Sequence, residues 1–208
     1  MNVMRAYRYR GRRNQQIYLT YSVKTERDWI FPSNLRFLHW ILYLETDPEV
    51  ATFDVCDDIA RAPDTPGIHA IATMRNGRTV GHRIVSDKSE KDSQLPRPDP
   101  FDLGREVRLI PESELREQAS LAIRWVKVIC FAGALRDQRL DAATMLISGI
   151  AQSMGSGTVQ QILEAAPNID DAIAKGMIAR LAITGWLRLD LSHRGYTRES
   201  PWRWEGPE

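Results

Sequence analysis

Acidic side chains are missing from the first 25 residues, although the whole chain is nearly balanced, with 28 Lys and Arg against 27 Asp and Glu. Arg5, Arg8, Arg10, Arg12, Arg13 and Lys24 therefore make a local basic arm, which suits a phosphate backbone or serves as a solubilising tail. Cysteine is scarce. Cys56 and Cys130 stand far apart without a C-x-x-C pairing, which argues against a zinc ribbon or a disulfide framework and points to a reducing cytoplasm. Long apolar runs are lacking too: the longest, Trp125–Leu135, is broken by Lys127 and is too short for a bilayer. No apolar stretch follows the N-terminal charges as in an export signal, so neither membrane nor secretion is expected. There is also no Walker motif, dinucleotide fingerprint, nucleophile elbow, internal repeat or low-complexity segment.

What remains is a globular composition: 208 residues, 43% hydrophobic and 26% charged, enough for a sizeable core in one domain or two small ones. Gln16–Val23 alternates β-formers and predicts a strand leading into a helix, with Ser33 or Asn34 as its cap just after Pro32. The helix begins near Leu35, is rich in apolar residues and closes at Asp47-Pro48, since proline disfavours helix in its predecessor. Strands are expected over Val50–Val55, Ile68–Met74 and Arg78–Val85, the last two joined by an Asn76-Gly77 hairpin turn. Asp87–Leu103 contains Pro96, Pro98 and Pro100 and cannot be a helix; Arg105–Ile110 reads as a last strand.

Helix, strand and hairpin in that order over Leu35–Asp54 and His69–Arg78, with DPEV between helix and strand, resemble the nuclease domain of TnsA-type transposase endonuclease subunits. The resemblance implies a restriction-endonuclease-like core. That family cuts DNA with a Glu on the first helix, an Asp at the start of the hairpin and a Glu/Gln-x-Lys on its second strand, groups that hold divalent metal and activate water. Counting back from Asp47-Pro48 puts the helix Glu at Phe37, and counting back from Asn76-Gly77 puts the Asp at His69. The strand Glu and Lys align with Arg83 and Val85. No carboxylate stands at any of these positions, so the resemblance implies a scaffold kept and its usual chemistry gone. The proline-bearing stretch departs from the family as well, where a helix usually precedes the last strand.

From Pro111 the pattern turns helical. Leu115, Ala119, Ala122, Ile123, Val126, Ile129 and Cys130 recur close to the 3.6 period, predicting a helix through Leu135 whose first turn suits Ser113 and Glu117. Three shorter helices are expected over Leu140–Met154, Thr158–Ala166 and Asp171–Thr184. Thr158 and Gln161 form a capping box, Asp170 and Asp171 suit the last N-terminus, and Gly185 its C-terminus. Trp186–Leu191, an SHRG turn and YTRES then read as a two-stranded wing. This is the outline of a winged helix, a kind of module the TnsA family also tends to carry after its nuclease domain.

In a DNA-reading mode the helix from Asp171 would enter the major groove with the wing over the phosphates, making Lys175, Arg188, Arg194 and Arg198 contacts beside the arginine arm. The helix is nearly neutral, Asp171 opposing Lys175 and Arg180, which equally suits a protein-docking or structural module. Trp202, Arg203 and Trp204 in the terminal PWRW read either as a strap packed on the body or as a partner-binding peptide. Asp54, Asp57, Asp58 and Asp64 with His69 and His82 could make a relocated manganese or zinc site; without ligand spacing they read as a solvated loop and surface histidines.

The sequence thus predicts an α/β protein: a basic arm (1–15), a degenerate restriction-endonuclease-like mixed sheet (16–110), and a helical winged-helix-like domain with an aromatic tail (111–208). The resemblance implies a non-cleaving TnsA-like subunit of a DNA transposition or integration machine. Such a subunit would be cytoplasmic, need no cofactor, and bind DNA and a transposase or AAA+ ATPase. The alternatives are an endonuclease with relocated ligands, using magnesium or manganese, and a winged-helix regulator.

Overall fold

The β-formers after Gln16 fold as a hairpin rather than a single strand: β1 (Tyr18–Ser22) pairs antiparallel with β2 (Arg27–Phe31). The sequence pattern did not reveal β2, which forms because Trp29, Ile30 and Phe31 bury their side chains despite the charged Arg27-Asp28 start. The computed structural model describes residues 16–56, 68–87, 106–138 and 140–206. The arm arginines Arg5, Arg8, Arg10, Arg12 and Arg13, the acids Asp57, Asp58 and Asp64, and nearly all of the proline-bearing stretch lie outside the described residues.

Ser33 caps α1 (Asn34–His39), its hydroxyl oxygen accepting from the Arg36 amide at 3.3 Å. The chain then widens into a π-helical segment, Trp40–Glu45, in which the Thr46 amide donates to the Ile41 carbonyl five residues back, at 3.1 Å. Both charges that close this segment involve the β1–β2 turn. The Lys24 ammonium donates to the carbonyls of Leu44 (3.0 Å) and Asp47, and the buried Glu45 carboxylate accepts from the Ser22 hydroxyl (2.6 Å) and the Val23 amide (2.7 Å). Burial raises the Glu45 pKa, and burial lowers that of Lys24 to about 8.

Four strands form a mixed sheet in the order β3 (Val50–Val55), β4 (Ala70–Met74), β5 (Thr79–Val85) and β6 (Glu106–Pro111). The first three neighbours are antiparallel and β6 runs parallel to β5. The β4–β5 turn is the expected one: Gly77 takes φ 81°, a left-handed value that costs glycine little, and the Asn76 side chain accepts from the Arg78 amide at 3.0 Å.

The long helix expected from Pro111 is two, α2 (Glu112–Glu117) and α3 (Ala119–Gly133), because Gln118 breaks the helical path at φ −89°, ψ 3°. Asp87, just past β5, caps α2 from a distance, accepting from the Ser113 amide (3.2 Å) and hydroxyl (2.9 Å). The three later helices fall where the sequence puts them: α4 (Asp141–Met154), α5 (Val159–Ala165) and α6 (Asp171–Ile183). Thr158 and Gln161 form the capping box, Asp170 accepts from the amides of Ala172 (2.8 Å) and Ile173 (3.2 Å), and Gly185 takes φ 74°.

A second sheet has the order β7 (Ser156–Thr158), β9 (Pro201–Trp204), β8 (Leu187–Leu189). YTRES is loop, and PWRW takes the central strand in its place. One buried cluster runs from Trp29, Phe31 and Trp40 through Phe53 and Ala72 to α3–α6 and Trp202, so residues on both sides of position 110 share a core. A small second cluster of Tyr43, Ile110 and Leu115 pins the π-helical segment to β6 and α2. Among the described residues no helix is long and apolar enough to cross a membrane.

Candidate functional site

The strand register sets His82 of β5 opposite Ala70 of β4 and beside Arg108 of β6. His82 meets His39 from α1, with Nδ1 of the former 3.0 Å from Nε2 of the latter and both residues 3% exposed. One ring N–H is therefore donated to the other ring nitrogen. His69, just before β4, donates its amide to the His82 carbonyl (2.7 Å), and its Nδ1 accepts from the Ile84 amide (2.8 Å). An imidazole thus completes the β4–β5 ladder where strand β4 has ended. Tyr43 stacks on His39 with ring centres 5.9 Å apart, and its hydroxyl donates to Glu114 and accepts from Gln118 at 3.4 Å. The Arg108 guanidinium lies over the Tyr43 ring, 4.7 Å from its centre.

Burial is the main cause of the electrostatics here, and neighbouring cations add to it. His39 is held well below the ordinary histidine value by burial, then by the other imidazoles, Arg108 and Arg36. His69 is lowered to about 4 by burial, then by Arg36 and Arg83; His82 is lowered to about 4 by burial, then by Arg108, with Asp47 acting weakly in the opposite sense. Tyr43 is pushed up to about 12 by burial and by its bond to Glu114. At neutral pH the group consists of uncharged imidazoles amid arginines. Such surroundings favour an anion and disfavour the divalent cation that a nuclease needs. Among the described residues no group of three or more His, Cys, Asp and Glu side chains is arranged to hold a metal ion.

The four positions of the expected nuclease site are used for packing and pairing. Phe37 stacks on Tyr18 (4.4 Å between ring centres) and Trp40 (5.8 Å), and the helix residue that meets β5 is His39, two places on. Arg83 is 9% exposed, and Val85 ends β5 opposite Pro111 of β6. His69 and His82 are not the surface residues the sequence suggested: they close a ladder and join sheet to helix. Asp54 is exposed and pairs with Arg27 at 2.5 Å. Sequence reasoning missed His39, Tyr43, Arg36 and Arg108; the only signal for His39 was a histidine inside an otherwise apolar helical stretch.

The expected DNA-reading helix is α6, and most of its side chains pack in the core. Ala174, Met177, Ile178, Leu181 and Ile183 are buried, and a Cβ on Gly176 would lie 2.8 Å from the Phe131 carbonyl oxygen. Lys175 is half-buried, and its carbonyl accepts from the Tyr196 hydroxyl at 2.9 Å. Arg188 is exposed on β8, Arg194 pairs with Glu199 at 3.4 Å, and Arg198 pairs with Asp171. Near these last cations lies a cleft of about 230 Å³ bordered by Asp190, His193, Arg194 and Glu199, of mixed charge.

Trp202 is 3% exposed at the centre of the second sheet, so its ring is core and not a docking group. Trp204 is half-buried and meets Trp186 edge to face at 5.9 Å. Arg203 faces solvent and pairs with Glu205 at 2.6 Å. In comparisons with known proteins, no family model and no curated protein matches the chain.

Proposed function

We propose that this chain is a TnsA-like, non-cleaving subunit of a DNA transposition or integration machine, which binds DNA and a transposase or AAA+ ATPase and leaves phosphodiester bonds intact. One observation carries the reading. In support of it, α1 and the mixed β3-β4-β5-β6 sheet supply a helix, a strand, a hairpin and a last strand in the order the resemblance implies, and Phe37, His69, Arg83 and Val85, the residues that the count from its motifs reaches, include no carboxylate and no lysine. Metal-assisted hydrolysis needs carboxylates there. An aromatic stack at Phe37 and a capping imidazole at His69 supply none. The arginines around the histidines supply a positive field, which suits a DNA backbone.

The test is purified protein with supercoiled plasmid in magnesium or manganese. The reading expects salt-sensitive retention of the plasmid and no nicking. Metal-dependent nicking that disappears in Asp57→Ala or His69→Ala would overturn it and establish an endonuclease with relocated ligands.

A further inference from the structure

His69 carries a proton that the fold does not use. Its Nδ1 accepts from the Ile84 amide at 2.8 Å, and the uncharged imidazole has one proton, so that proton is fixed on Nε2. Among the described residues no hydrogen bond takes it, and His69 is half-buried, within reach of a ligand from solvent.

Two guanidinium groups flank this donor. Arg83 adjoins Ile84 on β5, and because its neighbour His82 meets α1, Arg83 projects from the opposite face of the sheet. Arg36 comes from α1, one turn before His39, on the side of the sheet where His39 meets His82. Two cations thus approach one imidazole from the two faces of the sheet, at the point where β4 begins and the ladder is closed by a side chain. Among the described residues the charges that act on His69 are these two, both positive. A guanidinium has five N–H donors, so each arginine keeps donors for a ligand beside the contacts it makes within the chain.

We propose that His69 Nε2, Arg36 and Arg83 together hold one phosphate group. Shape and charge select it. Donors that converge from both faces of a sheet and from its plane are not coplanar, which fits a tetrahedral anion with oxygens in several directions better than a planar carboxylate. Two guanidinium charges match a phosphate, the anion that arginine recognises through paired N–H groups. The source is a free phosphate ion or, where the chain binds DNA as proposed above, a phosphate of the duplex backbone; only the second source rests on that reading.

The probes are inorganic phosphate and a short DNA duplex, added to the full chain at constant ionic strength. Binding is followed through the Ile84 amide resonance, which every variant keeps. Phosphate should shift that resonance saturably, and acetate at the same concentration should leave it in place. His69→Asn retains an amide oxygen near the place of Nδ1 for the Ile84 amide but removes the Nε2 donor. Both it and Arg36→Gln should weaken phosphate binding by about tenfold or more, the worth of one charge-assisted hydrogen bond, with an unchanged circular dichroism spectrum. A duplex that displaces phosphate supports the site with DNA as the source, and bound phosphate that a duplex does not displace supports it with the free ion. An Ile84 amide unmoved by phosphate overturns the proposal, as does binding that both variants leave unchanged. Retention of plasmid separates this site from the reading above: retained plasmid with no phosphate at His69 overturns the site alone, whereas saturable phosphate binding by a chain that retains no plasmid supports the site and removes the DNA reading.

Discussion

Arg75, beside the tip of the β4–β5 hairpin, donates from its guanidinium to the carbonyl of Thr184 at the end of α6, and from Nε to the carbonyl of Pro48 at 2.5 Å. A residue of the first sheet thereby satisfies a helix end that belongs to the second half of the chain, where the last carbonyls have no intrahelical partner. Gly185 lies against the same contact: a Cβ there would fall 2.9 Å from the guanidinium and 3.0 Å from Pro48. Together with the shared core, this predicts that the chain unfolds as one unit. Arg75→Ala should cost about 1–2 kcal/mol, and urea denaturation followed by tryptophan fluorescence and by circular dichroism should give coincident transitions in both parent and variant. Two separated transitions would show that the halves fold independently.

Stability should fall in mild acid because of the buried histidines. Each imidazole binds a proton less well folded than unfolded, so the stabilisation is complete above the unfolded value of 6.5 and is lost as pH falls from there toward the folded value of about 4 for His69 and His82. With partial exposure discounted, the loss at pH 5 relative to pH 7 should be about 2 kcal/mol. His69→Gln should flatten that dependence while lowering stability at pH 7. Thermal melts of both proteins from pH 7 to pH 5 provide the measurement; parallel curves would contradict the assignment.

Deleting residues 1–13 removes five arginines. If the arm holds DNA phosphates, the slope of log affinity against log salt should become shallower by about 0.9 for each phosphate that the arm no longer neutralises. Binding isotherms on one duplex at several salt concentrations give the slope directly. An unchanged slope would leave the arm no part in DNA binding.

The PWRW strand separates burial from recognition. Trp202→Ala empties the centre of the second sheet and should destabilise by about 3–5 kcal/mol, whereas Arg203→Ala on the exposed face of the same strand should stay within about 0.5 kcal/mol. Denaturation midpoints of the two variants decide it. A mild Trp202→Ala would mean that the ring is not part of the core.

Local chemistry was legible in the sequence: Ser33, Asn76-Gly77, Thr158 with Gln161, Asp170 and Gly185 each do what their residue type and spacing announce. Long-range pairing was not. Asp87 caps α2 from another element, and PWRW displaces YTRES as a strand because only burial of Trp202, invisible along the chain, distinguishes them. The candidate site was displaced for a related reason. A residue count from Asp47-Pro48 says nothing of the helix's phase, and the bonds of Trp40–Glu45 span five residues, which shifts the face that the preceding turn presents. That count reaches Phe37, while His39 is the residue that meets the sheet.

The place of β9 in its sheet also sets an order of events during synthesis. β7 and β8 touch each other only through β9, which is made after both. Until Trp202 leaves the ribosome, the earlier strands have no ladder to join and the shared core lacks this indole. Closure of this sheet therefore waits on β9, and a nascent chain stalled before residue 201 would leave β7 and β8 without their shared partner.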